Sequence, residues 1–251
     1  MTSKIDLNAD LGEDDSPAGI ARDIAIMDIV SSCNIACGGH AGSAEVMRTI
    51  LSAAKSRSVA PGAHPSYPDR AGFGRKTMDI ALVELEDSLS RQLQDITTIA
   101  ADVGVPLTHF KPHGALYNDA QDDPDLATLL VNMADRADLA LVGMPGSLIQ
   151  QTAVDQGISF IAEAFIDRQY SRKGRLVPRS EAGAVIADEE HRIQQGLCLA
   201  TATPFPAQGD VPLTIEAQTL CLHSDSDGAL ETARRMRAAL EQDGIMIRPV
   251  R

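Results

Sequence analysis

The stretch from Ser32 to His64 reads SCNIACGGHAGSAEVMRTILSAAKSRSVAPGAH and contains one complete strand–helix–strand pattern. Its two short apolar segments, Ser32–Cys37 and Ser58–Ala63, have the length of buried strands. Between them, Ala44–Arg57 has the longer apolar periodicity of a helix, and Ser43 is a suitable N-cap. The stretch therefore predicts a β-α-β unit, in which the two strands are parallel.

The same alternation of strand and helix patterns continues through most of the 251 residues. About seven β-α units favour a parallel sheet with outer helices that closes into a single β/α-barrel domain over residues 1–251. An open doubly wound sheet has the same periodicity and is the alternative at this point. Residues 163–213 are less regular, with a short helix predicted at 188–195. The other predicted strands are 4–8, 107–111, 139–142, 158–162, 219–222 and 245–247, and the other predicted helices are 20–31, 80–103, 124–136, 147–156 and 229–243.

The composition is that of an acidic globular protein. Lys and Arg total 22 against 35 Asp and Glu, which gives a formal net charge of −13. An acidic surface repels phosphate backbones and anionic lipids, so we expect neither nucleic acid nor membrane as a partner. The N-terminus lacks a signal-peptide pattern and no apolar run reaches the roughly 18 residues of a membrane span, so we expect a cytoplasmic protein. The four cysteines form no CxxC pair, which predicts reduced thiols rather than a disulfide frame.

Polar side chains with chemical capacity follow most of the predicted strands. The C-terminal strand ends of a parallel barrel meet around one mouth, so these side chains are expected to share one pocket. Carboxylates there can act as general bases, imidazoles can carry protons, and Lys or Arg can bind an anion or a transferring phosphoryl group. The sequence has no Walker A pattern, no GxGxxG turn and no GxSxG elbow. The candidate bases are Asp10, Glu13 and Glu163, the candidate proton carriers are His40, His64 and His113, and the candidate anion-binding residues are Lys111, Arg75 and Arg168; His223 and Asp225 follow the seventh strand without an assigned role.

Five long motifs follow one another along the chain: NADLGE (8–13), NIACGGHAG (34–42), GAHPSYPDR (62–70), KPHGALYN (111–118) and EAFIDR (163–168). Together, and in this order, they resemble the LamB/YcsF family. The resemblance runs from about residue 4 to residue 247 and implies the glycoside hydrolase/deacetylase type of β/α barrel. Gly39 stands where the family usually has an aromatic residue, and Ser43 where it usually has an acidic one. The smaller side chain at position 39 is expected to widen the pocket.

Members of this family are identified as the A subunit of the bacterial ATP-dependent 5-oxoprolinase, which works with subunits B and C. The implied reaction converts 5-oxo-L-proline, ATP and water into L-glutamate, ADP and phosphate. ATP is needed because an unstrained lactam is a poor electrophile, whereas phosphorylation of its oxygen creates a leaving group. The implied cofactors are ATP and either Mg2+ or another divalent metal. The residues expected in catalysis are Asp10, Glu13, His40, His64, Lys111, His113 and Glu163, and those expected to bind substrate or phosphate are Asn8, Asn34, Arg70, Arg75, Tyr117, Asn118 and Arg168.

Two other functions stay open on the sequence alone. The same barrel type often holds an Asp/His/His metal site, so Asp10, His40 and His64 could serve a divalent-metal-dependent amide hydrolase or deacetylase. The chain could also be a non-catalytic binding subunit whose partners carry the chemistry. Stoichiometric Zn or Ni with ATP-independent activity would favour the first of these. ATP hydrolysis or lactam opening by the isolated chain would exclude the second, whereas ligand binding without turnover would leave it open.

Overall fold

The computed structural model describes residues 4–223 and 228–250, and within them seven parallel strands form a closed barrel. Neighbouring strands follow the chain order from the first to the sixth, and the last barrel strand pairs with both the sixth and the first. This double pairing closes the sheet, so the open doubly wound alternative is wrong. The barrel strands are β1 (Lys4–Leu11), β2 (Ser32–Ala36), β3 (Ala60–His64), β4 (His109–Phe110), β5 (Ala140–Gly143), β6 (Phe160–Phe165) and β9 (Thr219–His223).

The remaining strands and the helices lie outside the barrel wall. The short strands β7 (Phe205–Ala207) and β8 (Val211–Leu213) form a separate antiparallel pair, and β10 (Met246–Ile247) pairs with the start of β1. No helix within residues 4–223 and 228–250 is long and apolar enough to cross a membrane. The helices are α1 (Pro17–Met27), α2 (Ala44–Arg57), α3 (Leu82–Val103), α4 (Gly114–Asp119), α5 (Pro124–Arg136), α6 (Leu148–Asp155), α7 (Glu189–Ala200) and α8 (Ala229–Gln242).

The alternation of residue types along β1 separates the two faces of the barrel wall. Leu7 and Leu11 are fully buried in the hydrophobic core, whereas Asp6, Asn8 and Asp10 alternate with such residues and are buried polar groups. The Asn8 amide bonds to a carboxylate on β6, a strand that does not pair with β1. The polar face of β1 therefore points into the barrel, and the apolar face points outward.

Local signals predicted several helix ends correctly. The side chain of Ser43 accepts a hydrogen bond from the Val46 N–H at the start of α2. Asp123 caps α5 in the same way, directly before Pro124. Gly104 ends α3 in the left-handed conformation, with φ at 72°. These caps set where the helices begin or end, and therefore where the adjoining loops lie.

Other elements differ from the sequence predictions. Helix α1 begins at Pro17, three residues before the predicted start, because the Ser16 side chain caps it by accepting from Gly19 N–H. Helix α4 was not predicted, since the Lys-Pro-His-Gly sequence that precedes it is typical of a loop. The β7–β8 pair lies within the irregular region 163–213 and was also not predicted. All four cysteines are unpaired, and Cys33, Cys37 and Cys221 are buried.

Candidate active site

A cavity of about 550 Å3 opens at the C-terminal ends of the barrel strands. Asp10 comes from β1, His64 is the last residue of β3, and Lys111 and His113 follow β4. All four side chains line the cavity, and the buried His40 stacks on His113 beside it. Parallel strand order thus brings together residues that lie far apart in the sequence.

Lys111 is buried in this cavity between two carboxylates. Its Nζ lies 2.8 Å from Oδ1 of Asp10 and 2.9 Å from Oε1 of Glu163, and all three side chains are buried. Burial opposes the charge on Lys111, but the neighbouring carboxylates raise its pKa well above the usual value. Burial also opposes the charge on Asp10, but His64 and Lys111 hold the pKa of Asp10 well below its usual value. Lys111 is therefore a fixed positive charge next to an ionised Asp10.

Two asparagines support these carboxylates from inside the barrel. Asn34 donates to Oδ1 of Asn8 and to Oδ1 of Asp10, each at 2.8 Å. Asn8 in turn donates to Oε1 of Glu163 at 3.1 Å and to Oγ1 of Thr219 at 2.7 Å. The sequence predicts substrate or phosphate binding for both asparagines. In the structure their amides hydrogen-bond to the carboxylates of Asp10 and Glu163. Neither asparagine belongs to the described lining of the cavity, so both are placed to position these carboxylates rather than to touch a ligand.

A second cluster gathers three imidazoles around one carboxylate oxygen. Oε1 of Glu13 lies 3.0 Å from His40 Nε2, 3.2 Å from His113 Nδ1 and 3.9 Å from His64 Nε2. The rings of His40 and His113 are stacked with centroids 3.6 Å apart. Burial lowers the pKa of His40 to about 3 and also lowers that of His113, although Glu13 acts against both shifts. Burial would raise the pKa of Glu13, but the neighbouring imidazoles of His113 and His40 lower it. An ionised carboxylate therefore lies among buried imidazoles.

This grouping differs from the metal set that the sequence predicts. The prediction joins His40 and His64 to Asp10, whereas the structure joins them to Glu13 and His113. Glu13, His40, His64 and His113 each offer one possible ligand atom, and these four atoms all lie within 4.8 Å of one another. Asp10 borders the group through Oδ2, which is 3.4 Å from His64 Nε2. Glu13 is thus the carboxylate that the histidines share.

The predicted anion-binding arginines occupy three different positions. Arg75 lines the cavity, and its guanidinium lies 4.7 Å from the centre of the Phe73 ring. Arg168 also lines the cavity but donates to two backbone carbonyls within 177–184, so it holds that loop. Arg70 donates to two backbone carbonyls of the loop after β2 and is not among the described lining residues. Arg75 is the arginine of the three that is best placed to reach a ligand.

Helix α4 contributes the two remaining predicted residues. Tyr117 and Asn118 both line the cavity. The buried Tyr117 ring packs edge-on against Phe165, with centroids 5.6 Å apart. Asn118 is exposed, and its amide donates to the Gly114 carbonyl one turn earlier at 2.9 Å. Tyr117 is therefore a buried part of the cavity wall, and Asn118 is an exposed part of it.

Comparison with known proteins agrees with the motifs that meet at this cavity. Residues 5–251 match the LamB/YcsF family. The chain belongs to this family. The 5-oxoprolinase A subunit of Streptomyces avermitilis is 40% identical over 245 residues, which cover 97% of this chain and 98% of that protein. The 5-oxoprolinase A subunit of Paracidovorax citrulli is 41% identical over 249 residues, with 98% of each chain covered.

Solved structures share the fold of this LamB/YcsF chain. The lactam utilization protein from Thermus thermophilus is 37% identical and has a TM-score of 0.90, with 98% of this chain and 100% of that chain covered. A peptidoglycan deacetylase from Bacillus subtilis has a TM-score of 0.50 at 10% identity, covering 99% of this chain and 88% of that one, which shows likeness of fold alone. The predicted deacetylase-like barrel is therefore confirmed.

The two departures from the usual LamB/YcsF pattern have local explanations. A Cβ added to Gly39 would lie 2.4 Å from Oε1 of Gln92 and 2.5 Å from Oγ of Ser66. Those two side chains fill the space beside Gly39, so the expected widening of the pocket is wrong. Ser43 has its hydroxyl engaged as the N-cap of α2.

Asp167 and His223 form a further pair at this site, and the sequence assigns neither of them a role. His223 ends β9 and lines the cavity, and its Nδ1 lies 2.7 Å from Oδ2 of the buried Asp167. Burial favours the neutral imidazole, but Asp167 raises the pKa of His223 above its usual value. A protonated imidazole at a cavity wall can act as a general acid. The signal is present in the sequence, because His223 ends a strand as His64 does; Asp225 lies outside the described residues.

Proposed function

We propose that this chain is the A subunit of an ATP-dependent 5-oxoprolinase, which opens the lactam of 5-oxo-L-proline to give L-glutamate. The observation that carries the proposal is the buried Lys111, held between Asp10 and Glu163 in the cavity of a LamB/YcsF barrel. Relatives at about 40% identity over nearly the full chain carry the name of the 5-oxoprolinase A subunit. A fixed cation beside carboxylates suits a reaction in which a phosphoryl group is transferred.

The chemistry begins with the lactam oxygen. That oxygen attacks the γ-phosphorus of ATP and ADP leaves, which converts the amide carbon into a better electrophile. Water adds to this carbon, and the C–N bond breaks as a proton reaches the ring nitrogen. The resulting acyl phosphate reacts with a second water to give L-glutamate and phosphate. Each phosphorylated species carries negative charge that the cavity must balance. A divalent ion that accompanies ATP supplies part of that balance.

The residues that face the cavity divide this work. Lys111 and Arg75 stabilise negative charge on the transferring phosphoryl group. Asp10 is ionised and accepts a proton from the attacking water. His223, kept protonated by Asp167, delivers the proton that the ring nitrogen needs as the C–N bond breaks. Acid and base therefore come from different strands of the barrel, β9 and β1.

Subunits B and C are the proposed partners. The name that the relatives carry describes one part of an assembly, and this chain covers nearly all of each of them. We expect the full reaction to need the assembled subunits. The chain alone is expected to bind the lactam in its cavity with little turnover.

The test is glutamate release from 5-oxo-L-proline and ATP, measured with the chain alone and with candidate subunits B and C. The wild-type assembly should release glutamate with one phosphate per turnover. Lys111→Met should lower the rate at least about 100-fold. The matched control is His191→Gln, a partly exposed residue in the first turn of α7 outside the described cavity lining, which should keep the wild-type rate. Absence of ATP-dependent glutamate release by the wild-type assembly, or an unchanged rate in Lys111→Met, would overturn the proposal.

A further inference from the structure

Backbone carbonyls fix the orientation of two imidazoles in the cluster around Glu13. Nδ1 of His64 lies 2.8 Å from the carbonyl oxygen of Lys111, and Nε2 of His113 lies 3.0 Å from the carbonyl oxygen of Phe73. A carbonyl oxygen only accepts hydrogen bonds, so each of these ring nitrogens must carry the proton. In the neutral imidazoles, the lone pairs therefore sit on the opposite nitrogens, Nε2 of His64 and Nδ1 of His113.

These lone pairs point at each other and at a carboxylate. Nδ1 of His113 and Nε2 of His64 are 3.0 Å apart. Oε1 of Glu13 lies 3.2 Å from the first and 3.9 Å from the second. When both imidazoles are neutral, three acceptor atoms thus converge without a proton between them, and Oδ2 of Asp10 lies a further 3.4 Å from His64 Nε2. Such an arrangement is repulsive unless a cation lies among the three atoms.

We propose that Glu13 Oε1, His64 Nε2 and His113 Nδ1 bind a divalent transition-metal ion, with Zn2+ the favoured occupant. Zinc–ligand bonds of about 2.0–2.2 Å at tetrahedral angles separate neighbouring ligand atoms by about 3.3 Å. The observed separations of 3.0, 3.2 and 3.9 Å bracket that value. Imidazole and carboxylate donors suit zinc and its neighbours in the first transition row.

The surroundings of the three atoms are those of a metal site. Metal-binding histidines usually donate their other ring N–H to a carbonyl or carboxylate, as His64 and His113 both do. His40 Nε2 lies 3.0 Å from the same oxygen of Glu13, and its ring is stacked on that of His113. These contacts hold the carboxylate and the imidazole in place.

The cluster also has an open side. Glu13, His64 and His113 all line the 550 Å3 cavity, whereas the buried His40 does not belong to its described lining. Three protein ligands with a further position open to a cavity are typical of a catalytic metal ion rather than a structural one. The open position is where a water molecule or an oxygen of the substrate would bind.

The test is a Co2+ and Zn2+ titration of the chain after metal removal with a chelator, without ATP or lactam. We expect one ion per chain by calorimetry, and a Co2+ visible spectrum of nitrogen and oxygen ligands without a thiolate charge-transfer band. Glu13→Gln and His113→Asn should each weaken binding at least about 100-fold. Asp10, Cys221 and His223 form a second group of possible metal ligands. His223→Asn removes a ligand from that group only, so it is the matched control and should keep wild-type affinity.

Several results would overturn this metal site. One such result is a wild-type protein that binds no ion and shows an imidazolium at His64 or His113 by NMR. A proton on the imidazole, rather than a metal ion, would then relieve the repulsion among the three atoms. A thiolate band, or binding lost in His223→Asn but kept in Glu13→Gln, would place the ion at the group that contains Cys221. Circular dichroism of each variant separates loss of a ligand from loss of the fold. Because the titration needs neither ATP nor lactam, it stands or fails independently of the proposed reaction.

Discussion

Replacing Lys111 with methionine tests whether the buried cation stabilises the fold as well as the site. In the wild type, Lys111 Nζ lies 2.8 Å from Asp10 and 2.9 Å from Glu163, with all three side chains buried. Methionine has a similar length but no charge, so Lys111→Met leaves two buried carboxylates without their shared cation. Removing one partner of a buried ion pair costs about 3–5 kcal/mol. We expect the free energy of unfolding to fall by this amount at neutral pH.

The double variant Lys111→Met, Glu163→Gln is the control. It removes one of the two uncompensated charges, while Asp10 keeps the hydrogen bond from Asn34. We expect it to recover about half of the loss, or about 2 kcal/mol. Urea unfolding followed by circular dichroism measures all three proteins. A loss below about 1 kcal/mol, or a double variant no more stable than the single one, would refute the reasoning.

Three further changes have expected outcomes. Burial raises the pKa of Asp23 from 3.8 to about 6, so its ionised form costs up to about 3 kcal/mol above that pH and nothing below the unfolded value. Asp23→Asn should therefore raise the free energy of unfolding at neutral pH, with the gain disappearing in unfolding curves recorded below about pH 4. Asp167→Asn should lower the pKa of His223 by removing the partner that raises it, so the alkaline limb of the pH–kcat profile should move to lower pH; an unmoved limb would argue against His223 as the acid. A Cβ at Gly62 would lie 2.2 Å from the buried His109 ring, so Gly62→Ala should lower the free energy of unfolding in urea by about 1–3 kcal/mol, and less in a His109→Ala background.

The fold was largely predictable because its signals are local and repeated. The two-residue alternation of Leu7 and Leu11 with Asp6 and Asp10 separates the faces of β1 from sequence alone. The caps of α2 and α5 also depend on neighbouring residues only. The β7–β8 pair was missed because its strands of three residues are too short for a periodic pattern.

The candidate site was predictable as a group but not in its internal pairing. Parallel strands bring Asp10, His64 and His113 to the same end of the barrel. Which carboxylate meets the imidazoles depends on loop conformation after the strand, and Glu13 reaches them from the loop that follows β1. Likewise, Arg70 belongs to a motif beside the site, yet its guanidinium holds two backbone carbonyls of another loop. Sequence spacing carries no information about such side-chain directions.

The polar interior of this barrel places stability and chemistry on different faces of the same strands. Buried ion pairs are often no more stable than apolar groups of the same shape, so the cluster of Lys111, Asp10 and Glu163 has no advantage as packing. Hydrogen bonds from Asn8 and Asn34 nevertheless hold its carboxylates in fixed positions before any substrate arrives. Groups fixed in this way need little rearrangement when charge develops in a reaction. Net stability must then come from the outward, apolar face of the wall, so substitutions on that face should change unfolding alone, whereas substitutions on the inner face should change unfolding and catalysis together.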